Sequence, residues 1–186
     1  NNLVTNTSNI IYFLKKKKFN SVIINYDDTS KDFFNWYQQL VAESLGKNKK
    51  GIFPVVSSMP KDNHSLMQLY LDGPTNNFFT FFNVIEKKSD AINNHSILKN
   101  KKFLKNKKLF DILDAKMLAS EKVFSKRKIP FRSFKILNRS EETLGELFTF
   151  FILETILIGK TLKLNPYDQP AVEIIKKDTV KILKSF

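Results

Sequence analysis

Ser21-Val22-Ile23-Ile24-Asn25-Tyr26 is a β-branched run of strand length, and the residues after it set the fold class. Ser30 stands as an N-cap. Phe33, Trp36, Tyr37, Leu40 and Val41 recur at i, i+3 and i+4, and Gly46 supplies a stop, so the spacing predicts a helix. Gly51 to Ser57, with Ile52, Phe53, Val55 and Val56, predicts a second, buried strand. Asn63 to Leu71 predicts a second helix ended by Asp72-Gly73-Pro74, and Phe78 to Ile85 a third strand. Strands alternating with helices at such short spacing predict an α/β fold, a three-layer α/β/α sandwich around a mostly parallel sheet covered on both faces.

Outward from this core, Asn9 to Lys18 carries a short helical pattern. Leu104 to Phe124 predicts a long helix, and Ile129 to Leu137 a further strand. Ser140-Glu141-Glu142 opens an apolar helix containing Phe148 to Ile158, which reads as buried. From Asp168 onward, Val172, Ile175, Ile182 and Phe186 fall at helical spacing and predict a closing helix that packs on the rest. A soft boundary near Asn138 divides the chain into a sheet-bearing domain, residues 1–138, and C-terminal helices, residues 139–186, packed on it as one unit.

With 186 residues, 42% of them hydrophobic, the chain can bury one sizeable core. It has no cysteine, which excludes a disulfide framework or thiolate metal site and fits a reducing cytoplasm; its two histidines lie far apart, which argues against a protein-only zinc site. The longest apolar run, Leu147 to Ile158, falls short of the ~20 residues a membrane span needs. No secretory signal pattern precedes it, and the opening Asn1-Asn2-Leu3 reads as a piece of a longer polypeptide. The net charge of +13 suggests nucleic-acid binding, but nearly all of it is lysine spread along the chain. The runs Lys15 to Lys18 and Lys101 to Lys108 are not interleaved with arginine or stacking aromatics, so they read as solvated faces. Such a surface would still steer an anionic metabolite toward a cleft.

Three polar segments stand apart from the core pattern. Gln39 and Glu43 share a face at the end of the Ser30 helix, where the negative end of the helix dipole disfavours a carboxylate. Glu43 is thus either a candidate general base or a solvated last-turn residue. His64, at the start of Asn63-His64-Ser65-Leu66-Met67-Gln68-Leu69-Tyr70-Leu71-Asp72-Gly73-Pro74, is either a neutral ring available for proton transfer or a backbone cap. His95 lies in a polar stretch and reads as solvated. In Asn165-Pro166-Tyr167-Asp168-Gln169-Pro170-Ala171-Val172-Glu173-Ile174-Ile175-Lys176, Asp168 is a candidate N-cap. Gln169, Glu173 and Lys176 follow at i, i+4 and i+7 along one face, as a site would place them or as an ordinary amphipathic helix would.

Together these segments, with Ala42-Glu43-Ser44-Leu45-Gly46-Lys47, resemble the active-site signatures of the glucose-6-phosphate isomerase family, in the family's order and over roughly Val22 to Ile182. The resemblance implies the C-terminal half of such an enzyme, with the second sugar-isomerase (SIS) domain. It implies aldose–ketose isomerisation of glucose 6-phosphate and fructose 6-phosphate through a cis-enediol, in glycolysis and gluconeogenesis, in the cytoplasm, without metal or other cofactor. Glu43 matches the family's base, His64 the histidine that helps open the sugar ring, and Lys176 the lysine that assists at the ring oxygen. Gln39 and Gln169 match substrate-contacting glutamines. The family's Ser/Thr-rich phosphate loop belongs to a first SIS domain that this sequence does not match, and its histidine comes from the partner in a homodimer, so the resemblance implies that this chain alone is inactive or nearly so. The expected partners are a sugar phosphate, the missing N-terminal SIS domain and a second copy, with no nucleic acid and no membrane. A noncatalytic sugar-phosphate-binding SIS module is the alternative.

Overall fold

Four strands, β1 (Asn20–Asn25), β2 (Phe53–Ser58), β3 (Asn77–Val84) and β4 (Phe131–Ile136), form the described sheet, in the order β2-β1-β3-β4, with every neighbouring pair parallel. The structure is a computed structural model that describes residues 2–85, 91–92, 99 and 101–186. His95 lies outside the described residues. The helices are α1 (Asn2–Lys15), α2 (Lys31–Leu45), α3 (Asp62–Ser65), α4 (Met67–Asp72), α5 (Leu109–Lys126), α6 (Glu141–Thr161) and α7 (Pro170–Leu183), with single 3-10 turns at Asp28–Ser30 and Lys102–Leu104.

Side-chain alternation along the strands divides the core into two layers. Ile23, Phe78, Phe82 and Val84 face α1, α2 and α6, where they meet Ile10, Phe34, Val41, Leu147, Phe151 and Ile158. Val22, Ile24, Phe79 and Phe81 face α4 and α5, where they meet Tyr70, Met117 and Phe124. Edge-on rings carry much of this packing: Phe34 lies 4.8 Å from Phe82 on one face and Phe79 4.9 Å from Phe124 on the other. The three-layer parallel sandwich expected from the strand–helix alternation is the observed fold.

The structure departs from the sequence reading at several elements. The first helix starts at Asn2 rather than Asn9, and the helix expected over Asn63 to Leu71 is broken into α3 and α4 at Leu66. The long helix begins at Leu109, where the Asp111 carboxylate in its first turn accepts the Lys108 backbone N–H at 2.7 Å and sets its start. Ser30 sits at the α2 N-cap but makes no capping bond, because its hydroxyl donates to the buried carboxylate of Asp27 at 2.5 Å. α6 is only half buried: Leu147, Phe151 and Ile158 face the sheet, while Phe148, Ile152, Leu153 and Leu157 are exposed. The expected closing helix, α7, forms but does not pack, since every one of its residues is exposed. Its apolar spacing therefore predicted the helix correctly and its burial wrongly. No described helix is long and apolar enough to cross a membrane.

One backbone position fixes how α2 hands over to β2. The turn Lys47 to Gly51 holds Asn48 and Lys49 in the left-handed region, and Gly51 has φ of 131°. A Cβ on Gly51 would lie 2.6 Å from the carbonyl oxygen of Leu45. Gly51→Ala is expected to cost about 1–3 kcal/mol in urea unfolding. Gly145→Ala, where an added Cβ meets nothing within 4 Å, should not destabilise.

Candidate active site

In a parallel α/β unit a helix runs back along its strand, so the last turn of α2 returns to the edge of the sheet where strands begin. Glu43 lies there, partly exposed, with a neighbour engaging each of its oxygens. The Gln39 amide, one turn earlier, donates to Oε1 at 3.0 Å, and the Gln169 amide, 126 residues away in sequence, donates to Oε2 at 2.7 Å. A small cavity of about 260 Å³ opens beside this cluster, lined by Glu43, Gly46, Lys47, Gln169 and Val172 among others.

The long-range approach of Gln169 has visible causes. Gly159 on α6 is buried, and a Cβ there would stand 3.3 Å from the Leu45 side chain and 3.4 Å from Pro166, so the missing side chain lets the loop after α6 lie close to the end of α2. Leu164 is buried and anchors that loop. Lys47 donates to the Asn165 carbonyl at 2.5 Å and pairs with Asp168 Oδ1 at 2.8 Å, while Lys50 donates to the Leu162 carbonyl at 3.1 Å. Two lysines thus satisfy one carbonyl at the end of α6 and one in the loop beyond it, and so hold the segment that carries Gln169.

Asp168, expected as an N-cap, serves instead as the partner of Lys47; Gln169 occupies the cap position without a side-chain capping bond. The Lys47 hydrogen bond holds the Asp168 carboxyl below its ordinary value of 3.8. A lowered folded-state value means the tether is complete above the ordinary aspartate range and is lost as pH falls through the lowered value. Amide resonances of Asn165 to Val172 should therefore stay unchanged from neutral pH down to about 4 and move only below it. Lys47→Met should raise the pH of that transition.

His64 and Lys176 are not brought to Glu43. His64 is exposed on α3, just past the end of β2, and so at the opposite edge of the sheet; the strand length alone separates the two edges by roughly 20 Å. Lys176 lies two turns into α7, about 10 Å along the axis from Gln169, and its ammonium bonds Glu173 Oε1 at 2.7 Å. Lys47 is the member of the cluster whose role the sequence pattern did not disclose, although it closes the quoted Ala42-to-Lys47 segment. Its position one residue past the Gly46 stop was the available signal.

The fold and this cluster define the class first: a parallel three-layer α/β domain. The crystal structure of a hypothetical protein from Thermus thermophilus matches it with a TM-score of 0.84 at 25% identity, over 94% of this chain and 43% of that one. A glucose-6-phosphate isomerase from Chlamydia trachomatis matches with a TM-score of 0.70 at 17% identity, over 89% of this chain and 35% of that one, a likeness of fold. No family model matches. In sequence, the chain is 33% identical over 177 residues to the glucose-6-phosphate isomerase of Methanocaldococcus jannaschii, covering 94% of this chain and 44% of that protein. It is 35% identical over 176 residues to that of Mycoplasmopsis pulmonis, covering 92% of this chain and 41% of that protein. The chain belongs to the glucose-6-phosphate isomerase family, and it spans less than half the length of these relatives.

Proposed function

We propose that this chain supplies the C-terminal part of an enzyme that interconverts glucose 6-phosphate and fructose 6-phosphate, with residues 1–138 as the second SIS domain and Glu43 as the proton-transfer base. The observation that carries the reading is the Glu43 carboxylate held between two amides, one from its own helix and one from a segment 126 residues away. An aldose–ketose shift needs one carboxylate able to take a proton from C2 and return it to C1 on the same face of the open-chain sugar, passing through a cis-enediol. Gln39 and Gln169 fix the carboxylate's orientation and present amides that can turn to the sugar hydroxyls. Lys176 is assigned to the ring oxygen, where an ammonium offsets developing negative charge. It reaches that position by release from Glu173, an exposed pair at the surface whose loss costs little.

His64 is assigned to ring opening on a different copy's Glu43, because the two residues of one chain lie at opposite edges of one sheet. On this reading the working unit is a dimer of longer polypeptides, cytoplasmic and glycolytic, that needs no metal or redox cofactor, and residues 1–186 have little activity by themselves. The engagement of both Glu43 oxygens and of Lys176 within this chain also favours a second reading, a domain that binds sugar phosphate without turning it over. One experiment separates the two. The polypeptide at the full length of its relatives is assayed for conversion of glucose 6-phosphate and for exchange of the C2 hydrogen with solvent. Turnover with exchange is expected; binding without either would establish the second reading and end the first.

A further inference from the structure

A cavity of about 900 Å³, larger than the one beside Glu43, opens at the other edge of the sheet. It lies outside the carboxyl ends of β1 and β2, beside the point between β1 and β3 where the chain's strand order reverses. That is where open parallel sheets hold their ligands, since connections leaving in opposite directions part to form a crevice. α2, with its 15 residues, separates this cavity from Glu43 by roughly 20 Å. Neither Glu43 nor His64 lines it.

Its lining includes the apolar Met59, Leu109 and Phe110 and the cationic Lys31, Lys61 and Arg139, with the Lys61 side chain largely in solvent. The strand end of β1 aims the arginine. Asp27, only 5% exposed, accepts Nη1 of Arg139 with both oxygens, at 3.0 and 3.1 Å, and takes the Ser30 hydroxyl as well. The Asn25 side chain in turn grips the Asp27 backbone at both ends, at 2.9 Å each. The Asp27 charge is therefore consumed in orienting the guanidinium, and among the described residues Nη2 and Nε of Arg139 make no hydrogen bond. Lys31 has no ion pair among the described residues, and Lys61 stands 3.8 Å from an Asp62 carboxylate already engaged by the Ser58 backbone and the Ser65 hydroxyl. Among the described residues that line the cavity, Asp28 is the one unpaired carboxylate set against these cations. A planar donor fork with two ammonium groups beside an apolar wall suits a dianion carrying a small organic body.

We propose that this cavity is a second ligand site, for a small phosphate ester whose phosphate lies among Arg139, Lys31 and Lys61 and whose carbon skeleton lies against Met59, Leu109 and Phe110. The site is independent of Glu43 and of the isomerase reading. Titration of the 186-residue chain with inorganic phosphate, glycerol 3-phosphate and fructose 6-phosphate, followed by amide resonance shifts and calorimetry, tests it. Shifts should cluster at Thr29, Lys31, Ser58 and Lys61, with the esters tighter than inorganic phosphate. Lys31→Met and Lys61→Met should each weaken ester binding roughly tenfold. Asp28→Asn should tighten it, and Glu43→Gln should leave it unchanged. Shifts confined to Glu43, Lys47 and Gln169, wild-type binding by the double lysine variant, or no saturable shift at concentrations on the order of 10 mM would each overturn the proposal.

Discussion

Glu43→Gln, introduced into the polypeptide at the length of its relatives, is expected to lower kcat by about 10²- to 10⁴-fold with KM little changed. The size follows from what the substitution removes. A glutamine keeps the shape and one acceptor oxygen but cannot hold the proton in transit between C2 and C1. The local structure should survive. The new amide would face the Gln39 or Gln169 amide donor to donor, and a half-turn of that neighbour presents its oxygen instead, so the link between α2 and the segment before α7 persists. Loss of solvent exchange at C2, with sugar-phosphate binding retained, distinguishes a missing base from a collapsed site. Full activity in the variant would remove Glu43 from the mechanism.

Arg132→Met is expected to produce the largest loss of stability, about 3–5 kcal/mol, read as a fall in urea midpoint with the slope unchanged. Arg132 projects from β4 toward α6, where its Nη1 bonds Glu154 Oε1 at 2.5 Å and Nη2 bonds Oε2 at 2.9 Å. Nε donates to Thr80 at 3.0 Å and Nη1 also to Asn6 at 3.1 Å, so strand, helix and N-terminal helix meet in one guanidinium. The Phe134 ring lies 5.1 Å from the guanidinium carbon. Burial works against the arginine's charge, but the adjacent Glu154 carboxylate outweighs it and raises the group's pKa, so the guanidinium stays charged. Removing the arginine strands Glu154, which is only 2% exposed. Replacing both partners, as Arg132→Met with Glu154→Leu, should restore most of the loss, because apolar residues of similar volume need no partner. If the double variant is as unstable as the single one, packing rather than the stranded carboxylate is the cause.

The parts of the fold legible in the sequence are those whose signal is local. β1 and β3 are continuous apolar runs, as strands covered on both faces must be, and α2 declares itself through the spacing of Phe33, Tyr37 and Val41. The break at Leu66 was not legible, because Leu66 and Tyr70 keep helical spacing across it. Nor was the Arg132–Glu154 pair, whose members lie 22 residues apart on a strand and a helix whose contact no periodicity records. Ser30 misled for a related reason: a serine before a helix is a cap by default, and only the buried Asp27 beside it, itself held by Arg139 from 112 residues away, diverts the hydroxyl.

For the candidate site, the sequence by itself nominated the residues, and it determined the family and the alternation that requires a parallel sheet. Tertiary structure decided their placement. It set Glu43 at one edge of the sheet and His64 at the other, since a returning helix ends where its strand began. It joined Gln169 to Glu43 through the bare surface of Gly159 and the reach of Lys47, and it left α7 exposed along its whole length. Local spacing specifies which side chains share a face. Which face meets which is decided by packing and hydrogen bonding between segments more than a hundred residues apart, and no short stretch of sequence contains that information.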